Sequence, residues 1–146
     1  MKRSAGLLLF RRHPDLQVLL AHPGGPLYRH RDEWGIPKGE YDAIEDPLAA
    51  AEREFQEELG CAPPPGHRYD LGEVRLKSGK RVVAWAVEGD LDTRTCVSNT
   101  FFLLWHGRLQ EFPEIDEARW FTVEEASLKM PERQRPFLER LVELLG

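Results

Sequence analysis

The sequence predicts an α/β layered domain, because short apolar and β-rich runs are interrupted by two well-marked helices, the first of which has a clear start and a clear stop. A chain of 146 residues with 41% apolar side chains is expected to form one domain over 1–146. A domain of that size buries roughly two-thirds of the surface its unfolded chain exposes, so its core needs no disulfide or structural metal.

Leu7 to Phe10 and Gln17 to Ala21 are short apolar runs on either side of Arg11-Arg12-His13-Pro14-Asp15, and they read as a hairpin of core strands. His22-Pro23-Gly24-Gly25-Pro26 strings together residues that punctuate turns and opens a loop expected to run to about Gly39. Asp46-Pro47 starts the first helix, since Asp accepts from free amide groups and proline at the first helical position loses no hydrogen bond. That helix is expected to reach Leu59 and stop at Gly60. Leu71 to Lys77 and Arg81 to Glu88 flank Ser78-Gly79-Lys80 as a second hairpin. Thr100 to Trp105 is the most apolar run and is read as the central strand, and Ala118 to Phe121 as a short last strand. From about Gln134 to Leu145, the residues Phe137, Leu138, Leu141, Leu144 and Leu145 recur at helical spacing as a core-facing stripe.

The charge balance, 20 Lys+Arg against 25 Asp+Glu, argues against a protein that coats nucleic acid or anionic membrane. Cys61 and Cys96 cannot form a zinc knuckle, and the expected setting is a reduced, cytoplasmic one. The basic, apolar start mimics a signal peptide, but its apolar run is short and ends in Arg11-Arg12, so no secretion is expected. No apolar run approaches the roughly 18 residues of a membrane span.

The chemistry concentrates on the first helix. On a helical wheel Leu48, Ala51, Phe55 and Leu59 form the buried stripe, while Glu54 and Glu58 fall near its edge and Glu57 further round. Three carboxylates on a partly covered face repel one another, and a divalent cation reverses the sign of that interaction. Carboxylate oxygens are the ligands that hard ions such as Mg²⁺ or Mn²⁺ select. The plainer alternative is a solvated acidic face in which Arg53 pairs with Glu57 four residues on.

The residues around the helix decide between these. From Gly39 to Cys61 the chain reads GEYDAIEDPLAAAEREFQEELGC. This resembles the signature of the Nudix hydrolases, G-x5-E-x7-R-E-U-x-E-E-x-G-U with U a bulky apolar residue, in which Gly39, Glu45, Arg53, Glu54, Phe55, Glu57, Glu58 and Gly60 match in one register. Ile44 departs from the glycine that many relatives carry before the first motif glutamate, at a variable position. The resemblance implies a mixed-sheet sandwich between helices with a loop-helix-loop motif at 39–61. It also implies hydrolysis of a nucleoside diphosphate linked to another moiety, with Mg²⁺ or Mn²⁺ as cofactor. Glu54, Glu57, Glu58 and the carbonyl of Gly39 would then hold the metal, and Glu45 and Arg53 would brace the loop. The family often adds a carboxylate from a late loop. The acidic stretch Glu111 to Glu117 is expected to be that loop, with Glu114, after Pro113, as the assisting group and Glu117 as a partner of Arg119.

Beyond the motif, Lys38, Arg29 and Arg31 are candidate phosphate partners, and Trp34 and Tyr28 candidate stacking partners for a base, whereas Phe101 is expected in the core. The five histidines show no ligand spacing and are read as surface or loop residues. The expected partner is a small nucleotide, either a nucleoside triphosphate or a dinucleoside polyphosphate, with no DNA and no membrane; a homodimer is left open. The competing readings are a nucleotide sensor that does not cleave, and an RNA 5′-end pyrophosphohydrolase, the latter disfavoured by the acidic balance.

Overall fold

The computed structural model describes residues 2–146. Its elements in chain order are β1 (Arg3–Arg11), β2 (Gln17–Pro23), β3 (Lys38–Tyr41), α1 (Pro47–Leu59), β4 (Tyr69–Arg75), β5 (Arg81–Glu88), β6 (Thr100–Trp105), β7 (Arg108–Pro113), β8 (Ile115–Thr122), α2 (Val123–Lys129) and α3 (Arg135–Leu145). Six strands form one mixed sheet in the order β4-β5-β1-β2-β8, with β3 on β1. Only the β1–β5 pair is parallel; the other pairs are antiparallel.

The layers follow from the alternation of side chains along β1. Leu8 and Phe10 point toward Phe137, Leu138 and Leu141 of α3 and Ala126 of α2. Leu7 and Leu9 point the other way, toward Ala50, Ala51, Phe55 and Leu59 of α1. The sheet therefore lies between α1 on one face and α2 with α3 on the other, the mixed-sheet sandwich expected. α1 begins and ends where the sequence places it. The Asp46 carboxylate accepts from the amide of Ala49 at 3.0 Å, and Gly60 closes the helix in the left-handed conformation.

Three expectations change. The central strand is β1, with Leu7, Leu8 and Leu9 fully buried. Thr100–Trp105 pairs only with β7, in a separate two-stranded sheet, and leaves Phe102 and Leu104 exposed. The cause lies in the turn. His106 and Gly107 both take positive φ, 52° and 77°, the requirement of a tight hairpin that returns the chain onto β6 before it can enter the main sheet. The acidic stretch 111–117 is not a loop either, since β7 runs to Pro113 and β8 starts at Ile115, leaving Glu114 alone at the junction. In α3, Leu144 stands exposed and Leu145 only partly covered, because the last turn passes the end of the sheet. Among the described residues no helix is long and apolar enough to cross a membrane.

Candidate active site

The site is assembled where α1 crosses the end of β3. The Glu54 carboxylate lies directly against the backbone of Gly39, so closely that a Cβ at 39 would stand 2.0 Å from Glu54 Oε2. That approach is why the strand carries glycine here. One residue earlier, the Lys38 amide donates to Glu58 Oε1 at 3.3 Å. Arg53 holds the motif together from the outside. Its Nε and Nη2 donate to the two oxygens of Glu45 at 2.8 and 3.0 Å, and its Nη1 donates to Glu54 at 2.8 Å and to Glu57 at 3.2 Å. A planar guanidinium can serve these acceptors together because its donors radiate in fixed directions.

Glu114 reaches the same place from the opposite side. Its amide donates to the carbonyl of Asn99 at 2.9 Å, and the Asn99 amide donates to the carbonyl of Glu57 at 2.8 Å. Asn99 is thus a strap between the last turn of α1 and the β7–β8 junction. A cavity of about 230 Å³ opens beside these groups, its wall including Trp34, Ile36, Lys38, Glu58, Glu114 and Gln134.

The electrostatics are those of a crowded, half-desolvated acidic cluster. Burial, then the Glu54 and Glu114 charges, push the Glu58 carboxyl up to about 8. Burial and then the Glu57 charge raise both Glu54 and Glu114. The Arg53 guanidinium, in contrast, holds Glu45 below the usual carboxylate range. Burial lowers Lys38.

The structure brings Gly39, Glu54, Glu57, Glu58, Glu114 and Lys38 together, with Arg53 and Glu45 beside them. It does not bring Arg31 there. The Arg31 guanidinium lies over the ring of Tyr28, 5.3 Å from its centroid, in a neighbouring recess with Arg29 and His30. Trp34 borders the cavity but is 5% exposed, packed against His22 and Phe121, with the Arg119 guanidinium 4.9 Å from its ring centroid. It is a wall, because its faces are already taken, and the expectation of base stacking fails there. Glu117 pairs with Arg119 at 2.8 Å, as expected of a flank. Phe101 is only half-buried, its ring against Phe112 and beneath Gly25.

Two residues escaped the sequence reading. Gln134, buried at the cavity wall, accepts from the amide of Ile36 at 3.0 Å; its sequence position, next to a proline-bearing helix start, carries no sign of this. His22, expected on the surface or in a loop, is a buried residue of β2.

The family model named NUDIX domain matches residues 1–141, the motif at 39–61 included. The chain belongs to the Nudix family. A relative of this Nudix domain in sequence, the protein named 8-oxo-(d)GTP phosphatase in Mycolicibacterium smegmatis, is 29% identical over 148 residues, covering 96% of this chain; the chain spans 41% of that relative's length. In fold, this Nudix domain resembles a Caenorhabditis elegans Ap4A hydrolase with a TM-score of 0.71 at 21% identity over 97% of each chain. It likewise resembles the Nudix domain of Shewanella oneidensis NrtR, solved with ADP-ribose, with a TM-score of 0.69 at 20% identity over 99% of this chain and 88% of that one.

The residues of this Nudix site fit a divalent cation by their chemistry. Glu54, Glu57, Glu58 and Glu114 crowd together, with Arg53 and Lys38 as the cations beside them and Arg53 shared with Glu45, so negative charge is left over. Burial first, and the neighbouring carboxylates second, raise the carboxyls of Glu54, Glu58 and Glu114. Among the described residues no three carboxylate, histidine or cysteine groups converge on one point, since the guanidinium of Arg53 stands between Glu54 and Glu57.

Proposed function

We propose that this Nudix hydrolase domain cleaves a phosphoric anhydride bond in a small nucleotide, a nucleoside triphosphate or a dinucleoside polyphosphate, with Mg²⁺ or Mn²⁺. One observation carries the reading: Glu58 of α1 and Glu114 of the β7–β8 junction line one cavity with Lys38, and Glu54 and Glu57 of the same helix lie near enough to add their charge to the pair. The names of relatives support the substrate class, one acting on 8-oxo-(d)GTP and one on Ap4A.

In this reading Glu54, Glu57 and Glu58, with the Gly39 carbonyl, are the groups that would hold the metal. A bound divalent cation neutralises phosphate oxygens and lowers the pKa of coordinated water. Arg53 sets the spacing of Glu54 and Glu57 and ties both to the loop through Glu45. Lys38 supplies positive charge to the phosphates from inside the cavity wall. Glu114, its carboxyl raised by burial and then by the Glu57 charge, lines the cavity where it can take the proton of the attacking water, and a raised carboxylate is a stronger base than an ordinary one. Gln134 spends its carbonyl on Ile36 and keeps an amide group for the polar edge of a base.

Glu114→Gln is expected to lower kcat about ten-fold or more, and Glu117→Gln to change it little, in side-by-side kinetics. The reverse ranking moves the role to Glu117. The experiment that tests the function itself is a panel of nucleoside triphosphates, including 8-oxo forms, and dinucleoside polyphosphates with Mg²⁺, read by product chromatography. Release of a nucleoside mono- or diphosphate is the expected result. Binding of the same compounds with no product overturns hydrolysis and leaves a sensor.

A further inference from the structure

His22 is 7% exposed and meets an acceptor at each ring nitrogen: Nδ1 lies 2.7 Å from Asp116 Oδ1, and Nε2 lies 2.5 Å from the backbone carbonyl of Arg31. A neutral imidazole owns a single N–H and can serve one acceptor; two acceptors, neither of them able to donate, call for both nitrogens to carry hydrogen. The position matters because of what hangs on it. Within residues 25–31 the backbone bonds run inward, from Tyr28 and Arg29 to Gly25 and from Arg31 to Tyr28. Among the described residues, the His22–Arg31 bond is the one hydrogen bond that ties this segment to the rest of the fold. On its far side Asp32 is held by Lys129 and by the Trp34 indole, and Trp34 forms the cavity wall.

We propose that His22 is a charged clamp, a doubly protonated ring that fixes the Arg29–Arg31 segment to β8 and thereby positions the loop that leads into Trp34, the wall of the cavity. The proposal rests on the nucleotide reading of that cavity for its effect on substrate, but not for the clamp itself. The groups that face the ring from the surrounding elements are Asp116 and Glu117 of β8, and Arg29, His30, Arg31 and Asp32 of the loop, with Trp34 packed on the ring at 4.9 Å. Lys129 is occupied by Asp32, and Arg119 by Glu117. Burial alone would lower the imidazole pKa, but the Arg31 carbonyl and the Asp116 carboxylate outweigh it and raise the pKa above the ordinary 6.5. The sign follows: the clamp is closed below that raised value and opens as pH rises through it, so KM rises on the alkaline side while the chemical step on the far wall is spared.

The test uses the full chain labelled with ¹⁵N-histidine. At pH 6.5 His22 should show two protonated ring nitrogens, a signal that His22→Gln removes. Amide exchange of Tyr28 to Asp32 should quicken about ten-fold in His22→Gln at the same pH, with Leu7 and Leu8 unchanged. With the best compound of the nucleotide panel, KM should rise about five-fold or more and kcat stay within about two-fold. Asp116→Asn keeps an acceptor but removes its charge, so it should move both the nitrogen titration and the alkaline rise in KM about one pH unit lower. That shift, which a purely structural histidine would not give, also decides the matter if His22→Gln fails to fold. One protonated nitrogen at pH 6.5, or unchanged loop exchange, overturns the clamp. Intact clamp signals with an unmoved KM overturn its positioning role. Nitrogen signals and exchange are read without substrate, so they judge the clamp even if no nucleotide is cleaved.

Discussion

Glu58→Gln is expected to lower kcat by at least about 10², with Glu57→Gln close behind, while both proteins stay folded. The amide keeps the size and loses the charge, so what is removed is the capacity to hold a cation or a proton at that point. Survival of the fold follows from the direction of the Glu58 shift. Its carboxyl sits at about 8 in the native protein, against 4.5 for an ordinary one, through burial first and then Glu54 and Glu114. A group raised in the folded state stabilises it fully below the unfolded value and loses that contribution as pH rises through the folded value. The cation-free protein should therefore melt at falling temperature from about pH 5 to about pH 9. Glu58→Gln should flatten that fall and melt several degrees, about 5 °C, above the parent at the alkaline end. Circular dichroism melts in chelator read this directly. Collapse of both variants would point to a purely structural acidic helix.

Excess chelator is expected to remove essentially all turnover, and added Mg²⁺ or Mn²⁺ to restore it. Glu58 and Glu114 line the cavity with Lys38, and Glu54 and Glu57 stand close behind them on Arg53, itself shared with Glu45, so a substrate polyphosphate would add further negative charge. Without a cation, the approach of such a substrate is repelled at close range in a partly desolvated site, where Coulomb energies are larger than in water. Activity should also climb toward alkaline pH, as carboxylates with raised values ionise and water becomes easier to deprotonate. Full turnover in chelator would overturn the assignment of Glu54, Glu57 and Glu58 as a metal site.

What could be read from the chain beforehand was whatever is written in consecutive residues. Asp46, Pro47 and Gly60 bounded α1 because caps act within a turn, and the motif matched because its residues share one helix and one loop. Glu114 was found by its charge, though not its setting, since no local pattern shows that β7 and β8 nearly touch. The central strand was missed because apolar content does not count neighbours: Leu7 to Leu9 are covered on both faces by helices far away in sequence, whereas Thr100–Trp105 turns back at His106-Gly107. That dipeptide was a readable turn signal, and so was the capping box of α2, where Thr122 and Glu125 bond each other's backbone. The burial of Trp34 and the two bonds of His22 belong to a different category. The packing of Trp34 on Phe121 and the His22–Asp116 bond depend on β8 lying beside β2, a pairing separated by about a hundred residues, and nothing local encodes it.

The β6–β7 ribbon lies outside the six-stranded sheet, with both outer edges unpaired and Phe102, Leu104 and Leu109 facing solvent. An added or shortened residue at its tip would pass its displacement into open space, since the strand register that seats Gly39 against Glu54 is set by β1, β3 and α1 alone. The tip of the ribbon, at the end away from Asn99 and Glu114, is consequently a place where this architecture can be remodelled without retuning the carboxylates, and where one chain can acquire a different surface while keeping the same chemistry.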